Sequence, residues 1–453
     1  MTSSKEPFKA LLTDLYQLTM NAAYLDNHKA DEIATFEMSI RSLPQNWGYF
    51  IAAGIDEALD NICQLQFNDQ DVSYLQKLNL FKPEYLDYLK HFKFEGNITA
   101  IREGTPFTAE TPIITVTAKR PQAQLVETIL LNIVNFQTMI ASKASRIVNA
   151  AGNKKVIDFG LRRAQGRDAS IKGARAMYIA GVNATSNVEA ARIYGVPPSG
   201  TMAHSFVMGF RNEIDAYRAY ANTFPDNSVF IIDTYDTLKG AERATQVAKE
   251  MERDGHRLVG VRLDSGDMMN LSEQVRSILD DEGLGYVKIV LSSDLNEYKI
   301  DKYKENNMPV DIYGVGTEMI TAKPVSALSG VYKLVEDNLG PRIKLSENKR
   351  TIPGRKQVYR VMDKDGGYLY DVLELEGGYH EGNPLLEQVV WGGKKIRETV
   401  PMKEVRDYSL DCVARLPLEA KMVRVTTPYQ LKIGSELFRL TEKLTAEYSG
   451  HGV

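Results

Sequence analysis

Cysteine is almost missing from this chain: Cys63 and Cys412 are the only two in 453 residues. So far apart in sequence, they supply neither a disulfide framework nor a four-cysteine zinc site, and a reducing, cytoplasmic compartment fits them. No unbroken run of eighteen apolar residues occurs, so no transmembrane helix is expected. The opening MTSSKEPFKALLTDLYQL has no apolar stretch behind a basic start, so it does not read as a signal peptide. An excess of either charge is lacking too. Fifty-five Lys and Arg against 59 Asp and Glu leave a net charge of -4, which provides no basic field for nucleic acid and no polybasic stretch for a membrane surface. Low-complexity tracts and short-period repeats are missing. Function must come from local sites on a globular scaffold, and the length calls for two or three structural units.

Taken in order, Leu11, Leu12, Leu15, Leu18, Ala22 and Leu25 recur at three- and four-residue spacing and predict a helix over residues 9–25. Residues 34–40 predict a strand, and a helix follows Gly54. Short β-like pieces at 98–101 and 113–117 are broken by Pro106 and Pro112. A long helix is expected from Gln122 to Ala150, bridging two units. Beyond Gly152, β-branched runs at 155–159, 181–184, 229–234, 258–263, 287–291, 310–315 and 331–335 alternate mostly with helical stretches. This alternation predicts βα units and a parallel sheet or barrel, whose loops after the strands share one face. Near the end, residues 356–376 alternate around Asp363-Lys364-Asp365-Gly366-Gly367 as a hairpin; 421–425 read as a strand and 435–447 as a terminal helix.

The polar clusters fall just after the predicted barrel strands. They are Asp158-Phe159-Gly160-Leu161-Arg162-Arg163, Asn183-Ala184-Thr185-Ser186-Asn187, Asp233-Thr234-Tyr235-Asp236, Arg262-Leu263-Asp264-Ser265-Gly266-Asp267, Ser292-Ser293-Asp294 and Gly314-Val315-Gly316-Thr317-Glu318. Gly314-Val315-Gly316-Thr317 suits a phosphate cradle, because glycine lets backbone N–H groups approach oxygens; a tight strand-to-helix turn needs glycine as well. It is neither a P-loop nor a dinucleotide fingerprint. Arg162-Arg163 suits carboxylate or phosphate, or is simply a surface pair. Asp264 and Asp267 suit Mg²⁺ or a developing cation, and a helix cap followed by a first-turn acid accounts for them equally. Arg262 faces the same way as Asp264 from a strand. His204 lies in Gly200-Thr201-Met202-Ala203-His204-Ser205-Phe206, a polar stretch that alone is more often a bland loop.

DFGLRRAQG, GTMAHSF, VRLDSGD, LSSDLNE and YGVGTEM, in this order, resemble nicotinate phosphoribosyltransferase, as does the N-terminal TDLYQLTM. The resemblance covers residues 13 to about 335. It implies an α/β fold: an irregular β/α barrel like that of quinolinate phosphoribosyltransferase over 136–340, and a mixed α/β sandwich built from both chain ends, 1–135 and 341–453. It also implies formation of nicotinate mononucleotide and diphosphate from nicotinate and 5-phosphoribosyl 1-diphosphate in NAD salvage. ATP is the co-substrate, coupled through a transient phosphohistidine at His204, and Mg²⁺ the cofactor. Nicotinate contacts map onto Tyr16, Thr201 and Arg262, with Tyr16 reaching a neighbouring subunit of a homodimer. Asp264 maps near the ribose as a catalytic acid, and Thr317 maps onto the phosphate loop. Phe159, Arg162, Ser205, Asp267, Ser292 and Gly316 complete the implied substrate contacts; no metal ligands are assigned. The rivals are a nicotinamide phosphoribosyltransferase on this fold, a phosphosugar isomerase or aldolase with no use for His204, and a non-catalytic phosphosugar-binding protein.

Overall fold

The computed structural model describes residues 9–346, 351–378 and 381–450. The first eight residues, part of the stretch read as lacking a signal peptide, lie outside them. In chain order the elements used below are helix α1 (Leu15–Asp26), strands β1 (Ile33–Ile40), β2 (Asn97–Ala100) and β3 (Ile114–Lys119), and helices α2 (Arg120–Leu125) and α3 (Glu127–Ala151). Then come β4 (Lys155–Asp158), β5 (Ala184–Thr185), β6 (Val229–Ile231), β7 (Gly260–Leu263), β8 (Lys288–Leu291) and β9 (Ile312–Val315). Strands β10 (Gly330–Asp337), β11 (Lys356–Met362), β12 (Tyr368–Leu375), β13 (Glu387–Trp391) and β14 (Leu431–Ile433) follow.

The chain forms two compact units, one from residues 1–142 with 327–453 and one from 143–326. The sequence reading cut the chain at 135/136 and 340/341 instead. In the first unit β10, β1, β3, β2 and β13 lie side by side in an antiparallel sheet. β1 runs between β10 and β3, and seven of its eight residues are buried; a strand covered on both faces loses polar alternation. Its one carboxylate, Glu37, meets Lys356 Nζ at 2.9 Å. The hairpin expected around residues 363–367 is present as β11 and β12, paired antiparallel, with β14 added parallel to β12.

In the second unit all pairings are parallel, in the order β5-β4-β9-β8-β7-β6. The sheet is a curled half-barrel, and its two-residue edge strand β5 gains only an isolated bridge from Thr185 to Pro198. Because the strands run the same way, the six polar clusters leave from one edge.

Several expectations are corrected. Residues 331–335, counted with the barrel runs, are part of β10, which pairs antiparallel with β1 in the first unit. The helix expected over 9–25 starts at Leu15, after a turn closed by Leu12 N–H to the Lys9 carbonyl at 2.8 Å. The long helix is two, α2 and α3, separated at Val126. By length and composition Arg120–Ala151 passes for a membrane span, yet 67% of its most apolar window is buried inside the fold, as in a core helix. Lys421–Val425 is no strand: Lys421 ends the short helix Leu418–Lys421 and irregular chain follows.

Candidate functional site

β7 organises the polar edge of the second unit. Val261 and Leu263 are fully buried, and alternation turns Arg262 to the other face. Three of its nitrogens take three different oxygens: Nε donates to Ser292 Oγ at 2.8 Å, Nη1 to Thr201 Oγ1 at 2.9 Å, and Nη2 to Asp264 Oδ1 at 2.7 Å. The Phe159 ring, just beyond β4, lies 5.2 Å from the guanidinium carbon, a cation–π distance. Gly314 on β9 makes room for that ring: a Cβ there would lie 2.4 Å from Phe159 Cε2. Four loops and one strand thus meet at one side chain.

Asp264 is half-buried. Burial pushes its carboxyl up, but the Ser292 hydroxyl bond and the Arg262 charge outweigh that and hold it below the ordinary carboxylate range. Ser292 donates to Asp264 Oδ1 as well as accepting from Arg262. His204 opens the helix His204–Met208; its Nδ1 lies 3.1 Å from Thr234 Oγ1 and its Nε2 3.8 Å from Asp264 Oδ2. An imidazole placed this way is near an anionic partner without being buried in it.

The residue-by-residue reading missed Asp233 and Asp158. Asp233 Oδ2 accepts from the Asp264 backbone N–H at 2.8 Å and from Ser265 Oγ at 2.7 Å, so it braces the β7 loop from the β6 loop. Its Oδ1 is buried without a partner among the described residues. Asp158 accepts from Gly160 N–H at 2.7 Å and Thr185 Oγ1 at 2.6 Å, tying β4 to β5, and burial pushes its carboxyl up. Both stand in the quoted clusters. The available signal was their place at a strand's end.

Other expected residues stay outside this constellation. Arg162 is exposed on the 3₁₀ turn Leu161–Arg163 and has no protein partner among the described residues. Ser205 is exposed in the first turn after Ala203. Asp267, expected as a first-turn acid on the capping account, is itself the N-cap of the helix Met268–Asp281, accepting from Asn270 N–H at 3.4 Å. Gly316 precedes the four-residue helix Thr317–Ile320, whose first amides have no intrahelical acceptor. Tyr16 lies on α1 in the other unit, 46% exposed, its hydroxyl donating to Glu127 Oε1 at 2.8 Å.

For Mg²⁺, no three His, Cys, Asp or Glu side chains gather among the described residues. The unpartnered Asp233 Oδ1 and the ionised Asp264 fit the way this ion is usually held, by one or two carboxylates together with substrate phosphates.

Residues 11–135 match the nicotinate phosphoribosyltransferase (NAPRTase) N-terminal domain, and residues 154–351 match the nicotinate phosphoribosyltransferase (NAPRTase) family. The chain is 40% identical to nicotinate phosphoribosyltransferase pncB2 of Mycobacterium tuberculosis, over 97% of this chain and 95% of that protein. With nicotinate phosphoribosyltransferase of Bacillus subtilis the identity is 42%, over 81% of this chain and 77% of that one. The crystal structure of human nicotinic acid phosphoribosyltransferase superposes with a TM-score of 0.85 at 26% identity, covering 95% of this chain and 99% of the human one.

Proposed function

The chain belongs to the nicotinate phosphoribosyltransferase family, and on that premise we propose that it joins nicotinate to 5-phosphoribosyl 1-diphosphate, giving nicotinate mononucleotide and diphosphate for NAD salvage. The observation that carries this reading is the setting of Arg262. A guanidinium has five N–H donors and three are engaged with Ser292, Thr201 and Asp264, which leaves two for an incoming carboxylate. Phe159 beside it offers an apolar face to a flat pyridine ring.

In the transfer, the pyridine nitrogen's lone pair forms the bond to the anomeric carbon while the bond from that carbon to diphosphate oxygen breaks, the diphosphate leaving with the electron pair. Positive charge builds on the ribosyl carbon, and the carboxylate of Asp264, kept ionised by Ser292 and Arg262, is the group that offsets it. Asp233 holds the Asp264 backbone in place. Gly316 and Thr317 take the 5-phosphate through backbone N–H groups and the threonine hydroxyl, with Arg162, Ser205 and Asp267 bordering the substrate. Asp233 and Asp264 would hold Mg²⁺, which when bound would supply charge neutralisation on the leaving diphosphate. ATP coupling runs through His204, whose phosphorylation adds negative charge beside Thr234 and Asp264 and reorganises the site for the diphosphate substrate.

The enzyme acts as a homodimer in which Tyr16 stacks on the pyridine bound to a neighbouring copy, with the half-barrel as the irregular β/α barrel of the family and the first unit as its mixed α/β sandwich. Both cysteines are free thiols, which supports a cytoplasmic location. The test is steady-state turnover with nicotinate and with nicotinamide, each with and without ATP. Nicotinate should be preferred by orders of magnitude and ATP should raise its turnover. A chain that takes nicotinamide as well as nicotinate, or releases no diphosphate with either, overturns the reading.

A further inference from the structure

Helix α1 is docked in the first unit by a row of polar bonds. Thr13 Oγ1 meets Thr128 Oγ1 at 3.2 Å, Tyr16 Oη donates to Glu127 Oε1 at 2.8 Å, Gln124 Nε2 donates to Gln17 Oε1 at 2.8 Å, and Asn21 Nδ2 donates to the Pro121 carbonyl at 3.1 Å. The partners ascend along α1 and descend along α2 and α3, so the helices run antiparallel. Gln124 Nε2 also reaches Glu127 Oε2 at 3.0 Å. Tyr16, Glu127, Gln124 and Gln17 therefore form a chain of hydrogen bonds in which both carboxylate oxygens of Glu127 are engaged. Gln17 and Asn21 are fully buried and Gln124 is buried, but Tyr16 is not.

A surface tyrosine finds water for its hydroxyl at no conformational cost. Holding it instead on a clamped carboxylate fixes the ring's two torsions, so what the bond gains is orientation. Apolar seams between helices tolerate small slips, whereas a row of paired amides and hydroxyls sets one register.

We infer that Glu127 is a positioning residue for Tyr16, fixing the exposed ring face on which the pyridine substrate stacks. This rests on the reading of Tyr16 as a stacking residue under the proposed function. Gln124 acts one step behind, holding the second oxygen of Glu127. The orientation is prepaid in the free enzyme, so its loss weakens pyridine binding and leaves the phosphosugar side untouched.

The experiment measures KM for nicotinate and for 5-phosphoribosyl 1-diphosphate in Glu127→Ala, Glu127→Gln, Tyr16→Phe and the Tyr16→Phe/Glu127→Ala double variant. Loss of the bond should raise KM for nicotinate on the order of tenfold, with KM for the diphosphate substrate unchanged. Glu127→Gln, whose amide oxygen still accepts the phenolic proton, should recover most of the loss. The double variant should be no worse than either single one. Unchanged KM for nicotinate, equal losses toward both substrates, or additive single effects would each overturn the inference. If Glu127→Ala fails to fold, Tyr16→Phe, which deletes one oxygen atom, decides alone. A wild-type chain inactive on nicotinate defeats the proposed function; an active wild type whose variants keep its KM defeats only this inference.

Discussion

Arg262 and Asp264 are two residues apart at the end of β7 and joined at 2.7 Å, so the positive and the negative group orient each other. Arg262→Lys keeps the charge but removes the fork that reaches Ser292, Thr201 and Asp264 together. KM for nicotinate should rise at least about tenfold, the scale of a lost charge-assisted hydrogen bond, and the preference for nicotinate over nicotinamide should narrow. Competition between the two bases checks it; an unchanged preference removes Arg262 as the carboxylate reader.

The acid limit of the reaction follows from Asp264. Its folded-state carboxyl lies below the ordinary value, so its contribution to stability is present above the unfolded pKa and is lost as pH falls through the lower, folded one. Activity should persist below the ordinary aspartate range before this group titrates. Ser292→Ala removes the largest of the interactions that lower it, so the acid limb of kcat/KM should move to higher pH. A limb that stays in place, or moves down, contradicts the assignment.

Gly314→Ala tests the Phe159 ring. The added methyl would lie 2.4 Å from the ring edge, so the ring must shift from its present place 5.2 Å from the Arg262 guanidinium. Nicotinate binding should weaken severalfold, by the scale of a lost cation–π contact, with a modest change in melting temperature. Isothermal titration beside thermal unfolding separates the two effects; intact nicotinate affinity would show that the ring does not contribute.

His204→Ala should abolish ATP-dependent stimulation while leaving slow, ATP-independent transfer. Incubation with γ-labelled ATP should mark the wild-type chain with an acid-labile, base-stable label that the variant lacks. Retained stimulation in the variant would rule His204 out as the phosphoryl acceptor. Thr234→Val, which removes the hydroxyl 3.1 Å from Nδ1, should reduce labelling without abolishing it.

A stability prediction concerns the first unit. Arg360 pairs twice with the fully buried Asp371, at 2.9 and 2.8 Å, and donates to the Pro106 carbonyl at 2.6 Å between the rings of Tyr368 and Tyr429. Arg360→Ala leaves that carboxylate buried without a counter-charge, held by the Tyr429 hydroxyl at 2.8 Å, and should cost about 3–5 kcal/mol, read by denaturant unfolding. A loss under 1 kcal/mol, within the range of ordinary surface substitutions, would mean water replaces the guanidinium.

How much was legible depended on what each element needed from distant residues. The parallel strands announced themselves as short β-branched runs, and their common direction placed the clusters holding Phe159, Arg262, Asp264 and Ser292 on one edge. Residues 331–335 have the same local pattern, but their partner is β1, nearly 300 residues earlier, and no local signal distinguishes the two sheets. Lys421–Val425 has strand-like composition and no strand beside it among the described residues, so it does not become one. Asp267, which local pattern read as a first-turn acid or a ligand, stands one position earlier, at the N-cap of its helix.

By itself the sequence determined the βα rhythm, the order of the polar clusters and the family they resemble, because strand-forming runs, turn residues and motif spacing are local along the chain. Only the tertiary structure decided which of those clusters meet at Arg262, why Asp264 stays charged, that Asp233 braces it, and that Tyr16 is held by Glu127. Those are relations between atoms brought together from separate strands and helices, where burial and competing hydrogen bonds set the outcome.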